Sequence, residues 1–386
     1  MTKSDLFPGL DDISFAGKDP AEIEEAVITG YESAAGRSLA KGDPVRLFLE
    51  AVALVIIQQR ALIDYTGKQN LLAYAEGNKL DHLSAYLGVT RLAASSAATT
   101  LRFTLSEAQP AAIIIPAGTR VSPGGGELLF ATVEDFEIPA GETEALILAQ
   151  CETAGTAGNG FVAGQVRKLV DPFPWEMTVT NITETSGGAD VENDENLRER
   201  TQIAPESFSV AGPKGEYIFH ARSAHQSIVD VAVLGPDDST EEHVIKPGNV
   251  EIYPLLTDGK LPSQEILDAV LEACSAEDVR PDTDYVHVLT PQIVFYDLSV
   301  SYWIDRTNAT RAASIQSAVQ QALEGWIAWQ RTRLGRDINP SELTRRMVAA
   351  GAKRVEIASP FFTVLSAREV AILNGNTVTY GGLEDG

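Results

Sequence analysis

"GGADVENDENLRERT", residues Gly187–Thr201, carries an acidic or amide side chain at every second position from Asp190 through Glu192 and Asp194 to Asn196. A calcium loop begins this way, and so does a capped helix. If Asp190 were the first ligand, the sixth place would need Gly and the twelfth a bidentate Glu. Those places hold Glu195 and Thr201. The helix reading satisfies more of the residues. Gly187–Gly188 makes a turn, and the carboxylates fall before and within a first helical turn, where the backbone dipole favours negative charge. Arg198 and Arg200 follow further along, and Arg198 can pair with Glu195 and Glu199 along the helix surface. A helix is therefore predicted at Asp194–Ile203, and no metal site.

The composition around this stretch suits a soluble globular chain. Of 386 residues, 44% are apolar and 22% charged, enough for several cores. No apolar run follows the lysine of "MTKSDLFPGLDD", so no signal peptide is read. The longest apolar run, Val45–Ile57, contains Arg46 and Glu50 and falls short of the ~20 residues of a membrane helix. Cys151 and Cys274 are the only cysteines, too few for a disulfide framework or a zinc knuckle. The net charge is −24 and unevenly placed: −4 over 1–95, −7 over 96–185, −14 over 186–290 and +1 over 291–386. Such a chain repels a phosphate backbone, which argues against nucleic acid as a partner. The acidic third segment and the slightly basic last one could meet between copies.

These four segments also differ in period. Between residues 1 and 95 the pattern is helical. Leu47, Ala51, Leu54, Ala61, Tyr65, Leu72 and Ala75 follow a 4-3 spacing with Gln58 and Lys68 in the seam, and a second stripe runs Val45, Leu49, Val52, Ile56, Ile63. Two stripes mean two buried faces. The helix is either the centre of its own small bundle or one that completes a bundle with a partner chain. A short helix is read at Asn78–Leu87, ended by Gly88. From Thr99 the period becomes two, with Leu101, Phe103 and Leu105 alternating with polar residues. "IPAGT" (Ile115–Thr119) recurs as "IPAGE" (Ile138–Glu142), each starting a reversal, with Pro read at the turn's second position and Gly at its last. Leu128–Thr132, Glu144–Glu152 and "FVAGQV" (Phe161–Val166) read as strands, making 96–185 a small all-β domain.

Beyond Ser186 the elements mix. Helices are predicted at Pro213–Ser223, Ser263–Cys274, Ala309–Gln330 and Pro340–Ala350. Strands are predicted at Ile228–Leu234, Asn249–Pro254, Asp284–Leu289, Ile293–Ile304 and Arg354–Ala358. The last helix opens on "NPSE" (Asn339–Glu342), a capping box. The expected class is multi-domain α+β: a helical segment (1–95), a β domain (96–185), an acidic α+β module (186–290) and a second α+β module (291–386). Each module is read as strands, a helix and a return strand.

Catalytic signatures do not emerge. "GTAGNG" (Gly155–Gly160) lacks the spacing of a dinucleotide loop. The five histidines include no i,i+4 pair, and no G-x-S-x-G elbow occurs. With 54 acids, carboxylate pairs carry no information. No catalytic, cofactor or metal residue is assigned. Arg331, Arg333, Arg336, Arg345, Arg346, Lys353 and Arg354 form a basic cluster, read as a solvated face or as an interface for an acidic surface, with nucleic acid a third reading.

The motif order nevertheless resembles a known family. "IPAGTRV", "ETAGTAGNG", "TSGGADVENDENLRERT", "AGPKGEYIFHARSA", "IKPGNVEIYPLL" and "PSQEILDAVLEACSAEDVRPDTDYVHVLTP" follow one another as in the baseplate J-like family, wedge proteins of contractile phage tails and related injection machines. The resemblance runs from about Leu101 to Pro291 and more loosely to the end. It implies a structural helix at the acidic run, no enzyme and no cofactor. It also implies homodimers that ring a central hub, beside hub and sheath proteins, within the virion. The N-terminal helices would join a second wedge protein, and the C-terminal module would touch the next copy. The interface candidates are then Leu47, Ala51, Leu54, Ala61 and Tyr65, with Arg331, Arg333, Arg345 and Arg346. A tail-associated glycan hydrolase and a receptor-binding protein are the alternatives from other classes.

Overall fold

A computed structural model describes residue 7 and residues 10–124, 128–208, 213–276 and 279–385. The chain forms two compact units, Met1–Arg91 with Asn193–Ala204, and Leu92–Glu192 with Pro205–Gly386.

The first unit is helical. Helix α1 (Pro20–Ala35) is capped by the Asp19 carboxylate, which accepts from the Ala21 and Glu22 amides, and it ends at Gly36 with φ 64°. The sequence reading above takes 1–95 as helical without giving these 16 residues bounds of their own. Helix α2 (Pro44–Lys68) starts at Asp43, whose side chain accepts from the Val45 amide. It packs along α1. Helix α3 (Asn78–Ala85) and helix α4 (Asp194–Ile203) pack on each other. The predicted bounds of α4 are its observed bounds.

In the second unit the chain first builds β1 (Ala98–Leu105), β2 (Ile113–Ile115), β3 (Arg120–Ser122), β4 (Phe130–Thr132), β5 (Phe136–Ile138), β6 (Glu144–Cys151), β7 (Lys168–Leu169) and β8 (Met177–Asn181). Six of them form an antiparallel sheet in the order β7-β3-β4-β6-β1-β8. It curls until the Asn181 amide donates to Val166 O, just before β7, so the barrel is nearly closed. Leu101, Phe103 and Leu105 fill it with Val121, Phe130 and Ile147. The two echoed motifs meet: β2 and β5, the strands that precede each IPAG, pair with each other, Ile113 opposite Ile138.

Two details differ from the sequence reading. The turn bonds run from Thr119 N to Pro116 O and from Glu142 N to Pro139 O. Proline is therefore the first residue of each turn and glycine the third, with φ 78° at Gly118 and 86° at Gly141, as a type II turn requires. "FVAGQV" is a turn, not a strand. The buried Asn181 amide donates to Phe161 O and Val162 O, and its oxygen accepts from the Val166 amide. These backbone groups are satisfied by a side chain instead of a ladder.

Helix α5 (Lys214–Ala224), β9 (Ile228–Leu234), β10 (Asn249–Leu256), helix α6 (Gln264–Ser275) and β11 (Tyr285–Val288) form the next module. Its sheet runs β11-β10-β9, antiparallel on one side of β10 and parallel on the other. Tyr217, Ala221, Ile266 and Val270 of the helices cover one face. The other face, with Tyr253 and Leu255, meets Leu334 and Val370 of the last module. That explains the unbroken buried run at the end of β10.

The last module holds β12 (Gln292–Asp305), helix α7 (Ala312–Gln330), helix α8 (Pro340–Ala349), β13 (Arg354–Ser359) and β14 (Glu369–Glu384). The one-face stripe Ile315, Val319, Leu323, Trp326 of α7 packs onto Tyr296, Leu298, Val300 and Tyr302 of β12. The module does not repeat the first one's order. One long strand is followed by two helices and two return strands, β13 antiparallel and β14 parallel to β12. The capping box is also incomplete. Asn339 accepts from the Ser341 amide, while the Glu342 carboxylate turns to Arg345 and Arg346.

Candidate interaction surfaces

The carboxylates of the acidic run bind backbone amides and an arginine. Asp190 accepts from the Thr156 amide at 3.2 Å, and Glu192 from the Leu92 amide at 3.0 Å. Asn193 caps α4 through the Asn196 amide at 2.9 Å. Asp194 accepts from the Gly77 amide at 2.9 Å and from Arg91 at 2.7 Å. Each of the three carboxylates thus has its own donors within the protein. Among the described residues no group of three His, Cys, Asp or Glu side chains converges as metal ligands would. The glycines have a packing cause. A Cβ on Gly188 would lie 2.4 Å from Gly155 O, and the Asn159 amide bonds both Gly188 O and Gly188 N. The glycine-rich loop and the GG turn are two halves of one lock.

The arginines of α4 are not surface residues. Arg198 is buried and donates from Nε to Leu72 O at 2.8 Å and from Nη2 to Ala75 O at 2.7 Å. Its pairing with Glu195, at 2.9 Å, is secondary to these. Arg200 donates to Thr90 O at 2.7 Å. Buried Ser84 of α3 meets Thr201 of α4 at 2.7 Å. The expectation of a surface ion-pair helix fails because the loop carbonyls beside α3, which lack helical partners, need donors.

Among the described residues of the first unit, most of the exposed large apolar side chains lie on helix α2. Leu47 is 56% exposed, Leu54 56% and Tyr65 44%. Ala51, Gln58 and Ala61 between them are exposed as well. This is the first stripe of the sequence reading as far as Tyr65, and at 1.5 Å per residue it spans about 27 Å; its last two members, Leu72 and Ala75, lie beyond the helix end at Lys68, and Ala75 is buried. Phe48, Val55 and Leu62 widen it. Sequence reading missed these three, although they sit one helical position beside the seam. Of the second stripe, Val45, Leu49, Val52 and Ile56 are half-buried, while Ile63 is exposed. Only Ala53 and Asp64 of α2 are buried, so the helix is not the centre of a bundle made by this chain's described residues. Asp64 is held in place from the other side. It accepts from Lys18 and the Phe15 amide, with Lys68 at 3.5 Å. The Lys18 bond, followed by the Phe15 amide, holds its carboxyl well below the usual carboxylate range.

The basic cluster is largely paired within the chain. Arg331 meets Asp258 of the acidic module at 2.9 Å. Arg345 and Arg346 share Glu342 at 2.7 and 2.8 Å, and the Arg345 bond above all holds the Glu342 carboxyl at about 2. Arg336 stacks on Trp329 at 4.0 Å and Arg354 on Trp303 at 3.6 Å. Arg333 is exposed. The acidic and basic segments do meet through Arg331, here within one chain.

One histidine resembles a catalytic base. His225 Nε2 lies 3.0 Å from Ser95 Oγ. However, the Ser227 amide donates to His225 Nδ1, and burial lowers the ring's pKa. The neutral ring therefore carries its proton on Nε2, directed at Ser95 Oγ and Gly187 O. Ser95 in turn donates to Gly187 O at 2.8 Å. The histidine gives a proton toward the serine, the reverse of what a general base does, and both fix the GG turn.

Four family models match consecutive parts of the chain. They are the baseplate J-like N-terminal domain at residues 42–98, the barrel domain at 100–188, the central domain at 209–290 and the C-terminal domain at 296–381. Baseplate protein J of Escherichia phage P2 is 32% identical over 197 residues, covering 50% of this chain and 61% of that protein, less than two thirds of its length. A chain of the cryo-EM structure of the anti-feeding prophage baseplate, 6-fold symmetrised, aligns over 95% of this chain and 94% of its own, at 14% identity and a TM-score of 0.39. No described helix is long and apolar enough to cross a membrane. With its barrel, central and C-terminal modules matched in order behind a matched helical segment, the chain belongs to the baseplate J-like family.

Proposed function

We propose that this protein is a structural component of a contractile tail baseplate, carried in the virion and assembled in the host cytoplasm. The observation that carries the reading is the bare apolar stripe of α2. Leu47, Ala51, Leu54, Ala61 and Tyr65 lie in solvent in the single chain, and burying such side chains is worth ~1.5–3 kcal/mol each for the larger ones. The occupant is a helix of a second wedge protein, which would complete a bundle at the 4-3 spacing. The division into four modules at 95, 185 and 290 is part of this reading, except that α4 belongs with the N-terminal helical unit. Copies pair and close into a ring around the hub, next to sheath and hub-side proteins. Contact with a target then shifts the ring between two packed arrangements. This role needs broad surfaces and no covalent step, and it involves neither nucleic acid nor membrane.

The test uses Ala51→Arg and Leu54→Asp. Both side chains are exposed, so each variant is expected to fold as the parent does. Each is also expected to lose co-purification with the second wedge protein and incorporation into tails. A soluble variant that still enters tails in normal amount would overturn the bundle assignment.

A further inference from the structure

We infer that two copies of this chain pair edge to edge through β14, antiparallel about Val378, to make one continuous sheet. This deepens the proposed function by giving self-association a surface, and its test excludes the α2 partner. The sheet order β13-β12-β14 leaves β14 at an edge, so the outer side of its backbone is unladdered among the described residues. Register shifts bound the free part, one opposite Tyr296/Asp297 and one opposite Tyr302/Ile304. Between them Gly375–Tyr380 stays in unbroken register with Asp297–Tyr302. Residues 374–377 and 379–381 are exposed.

Edge strands normally carry charges, proline or bulges that block pairing; the irregularities of β14 fall at Asn374 and Gly381–Gly382, outside the Gly375–Tyr380 stretch. The opposite edge, β13, has Arg354 and Glu356 and runs into Pro360. From Val370 to Leu383 there is no charged residue at all, in a chain of net charge −24. Two copies therefore meet along this strip without the like-charge repulsion that opposes their approach elsewhere.

The sequence matches itself. Antiparallel pairing centred on Val378 sets Thr377 opposite the partner's Thr379, and Asn376 opposite the partner's Tyr380. Threonine, valine and tyrosine favour strands, and Thr–Thr is a favourable cross-strand pair. Such an interface is isologous and closes at two copies. Val378 packs on the core below, so Thr377 and Thr379 stand on the other face, accessible to substitution.

The test is sedimentation equilibrium of the full chain carrying Leu54→Asp, which removes the α2 stripe from the measurement. This parent is expected to form a reversible dimer. Adding Thr377→Lys and Thr379→Lys faces like charges across the two-fold axis and is expected to weaken the dimer at least about tenfold. Thr377→Glu with Thr379→Glu is expected to do the same, and mixing the lysine and glutamate forms to restore a dimer. A parent that stays monomeric at every concentration overturns the inference. So does a lysine form that dimerises as tightly as the parent, or a mixture that associates no better than its components.

Discussion

Helices α2 and α4 reverse the usual relation between polarity and burial. The first is rich in leucine, valine and isoleucine, yet only Ala53 and Asp64 are buried. The second reads DENLRERTQI, yet five consecutive residues, Leu197–Thr201, are buried. Helix α4 is held by guanidinium groups that satisfy loop carbonyls, a directional contact already complete within the chain. Helix α2 has an apolar face that no described residue of its own chain covers. The polar helix is the finished one, and the apolar helix is the unfinished one.

The sharpest way to break this contrast is Arg198→Ala. It removes the donor to Leu72 O and Ala75 O, and hydrogen bonds to charged groups contribute ~1.5–3 kcal/mol each. A loss of about 3 kcal/mol is expected in urea unfolding of the helical unit. A loss below about 0.5 kcal/mol would mean that the guanidinium does not hold α4.

Asp194→Asn is expected to cost about 1 kcal/mol at neutral pH, given its partial exposure. Burial pushes the Asp194 carboxyl up, but the Gly77 amide and Arg91 pull it down further, so the net shift is downward. Its contribution is therefore full above the unfolded value of ~3.9 and is lost as pH falls through the folded value. The asparagine variant should flatten the acid limb of stability below about pH 4, which a pH series of unfolding midpoints would register.

On the other helix the effect should separate. Leu54→Asp is expected to change the free chain's stability by less than about 0.5 kcal/mol while abolishing partner binding. A large stability loss would show that the stripe is already buried within the free chain. The smallest effect belongs to Arg345→Ala, expected to cost at most about 0.5 kcal/mol because the pair is exposed. With the Glu342 carboxyl lowered from 4.5 to about 2, even that difference should fade as pH falls through this range.

Elements with a clear period were legible in the sequence. Both α4 and β9 have their predicted bounds, and the α7 stripe is the core of the last module. The α2 stripe was legible as a seam, since its spacing is a property of the helix alone. What the sequence hid depends on distant partners. "FVAGQV" has the composition of a strand, but Asn181 takes its carbonyls. Strand β14 was missed because Gly375, Gly381 and Gly382 interrupt its pattern. Gly381 is required because a Cβ there would lie 2.3 Å from the Trp303 ring. Arg198 looked solvated because no local pattern reveals that Leu72 and Ala75 would present open carbonyls.

The most direct measurement is the thiol reactivity of a Leu54→Cys chain, free and in assembled tails. The native Cys151 and Cys274 are buried and give little background. The free chain is expected to label rapidly, and the same residue in tails more than about tenfold more slowly, as local opening becomes limiting. Equal labelling rates in both states would contradict the claim that α2 is completed by a partner.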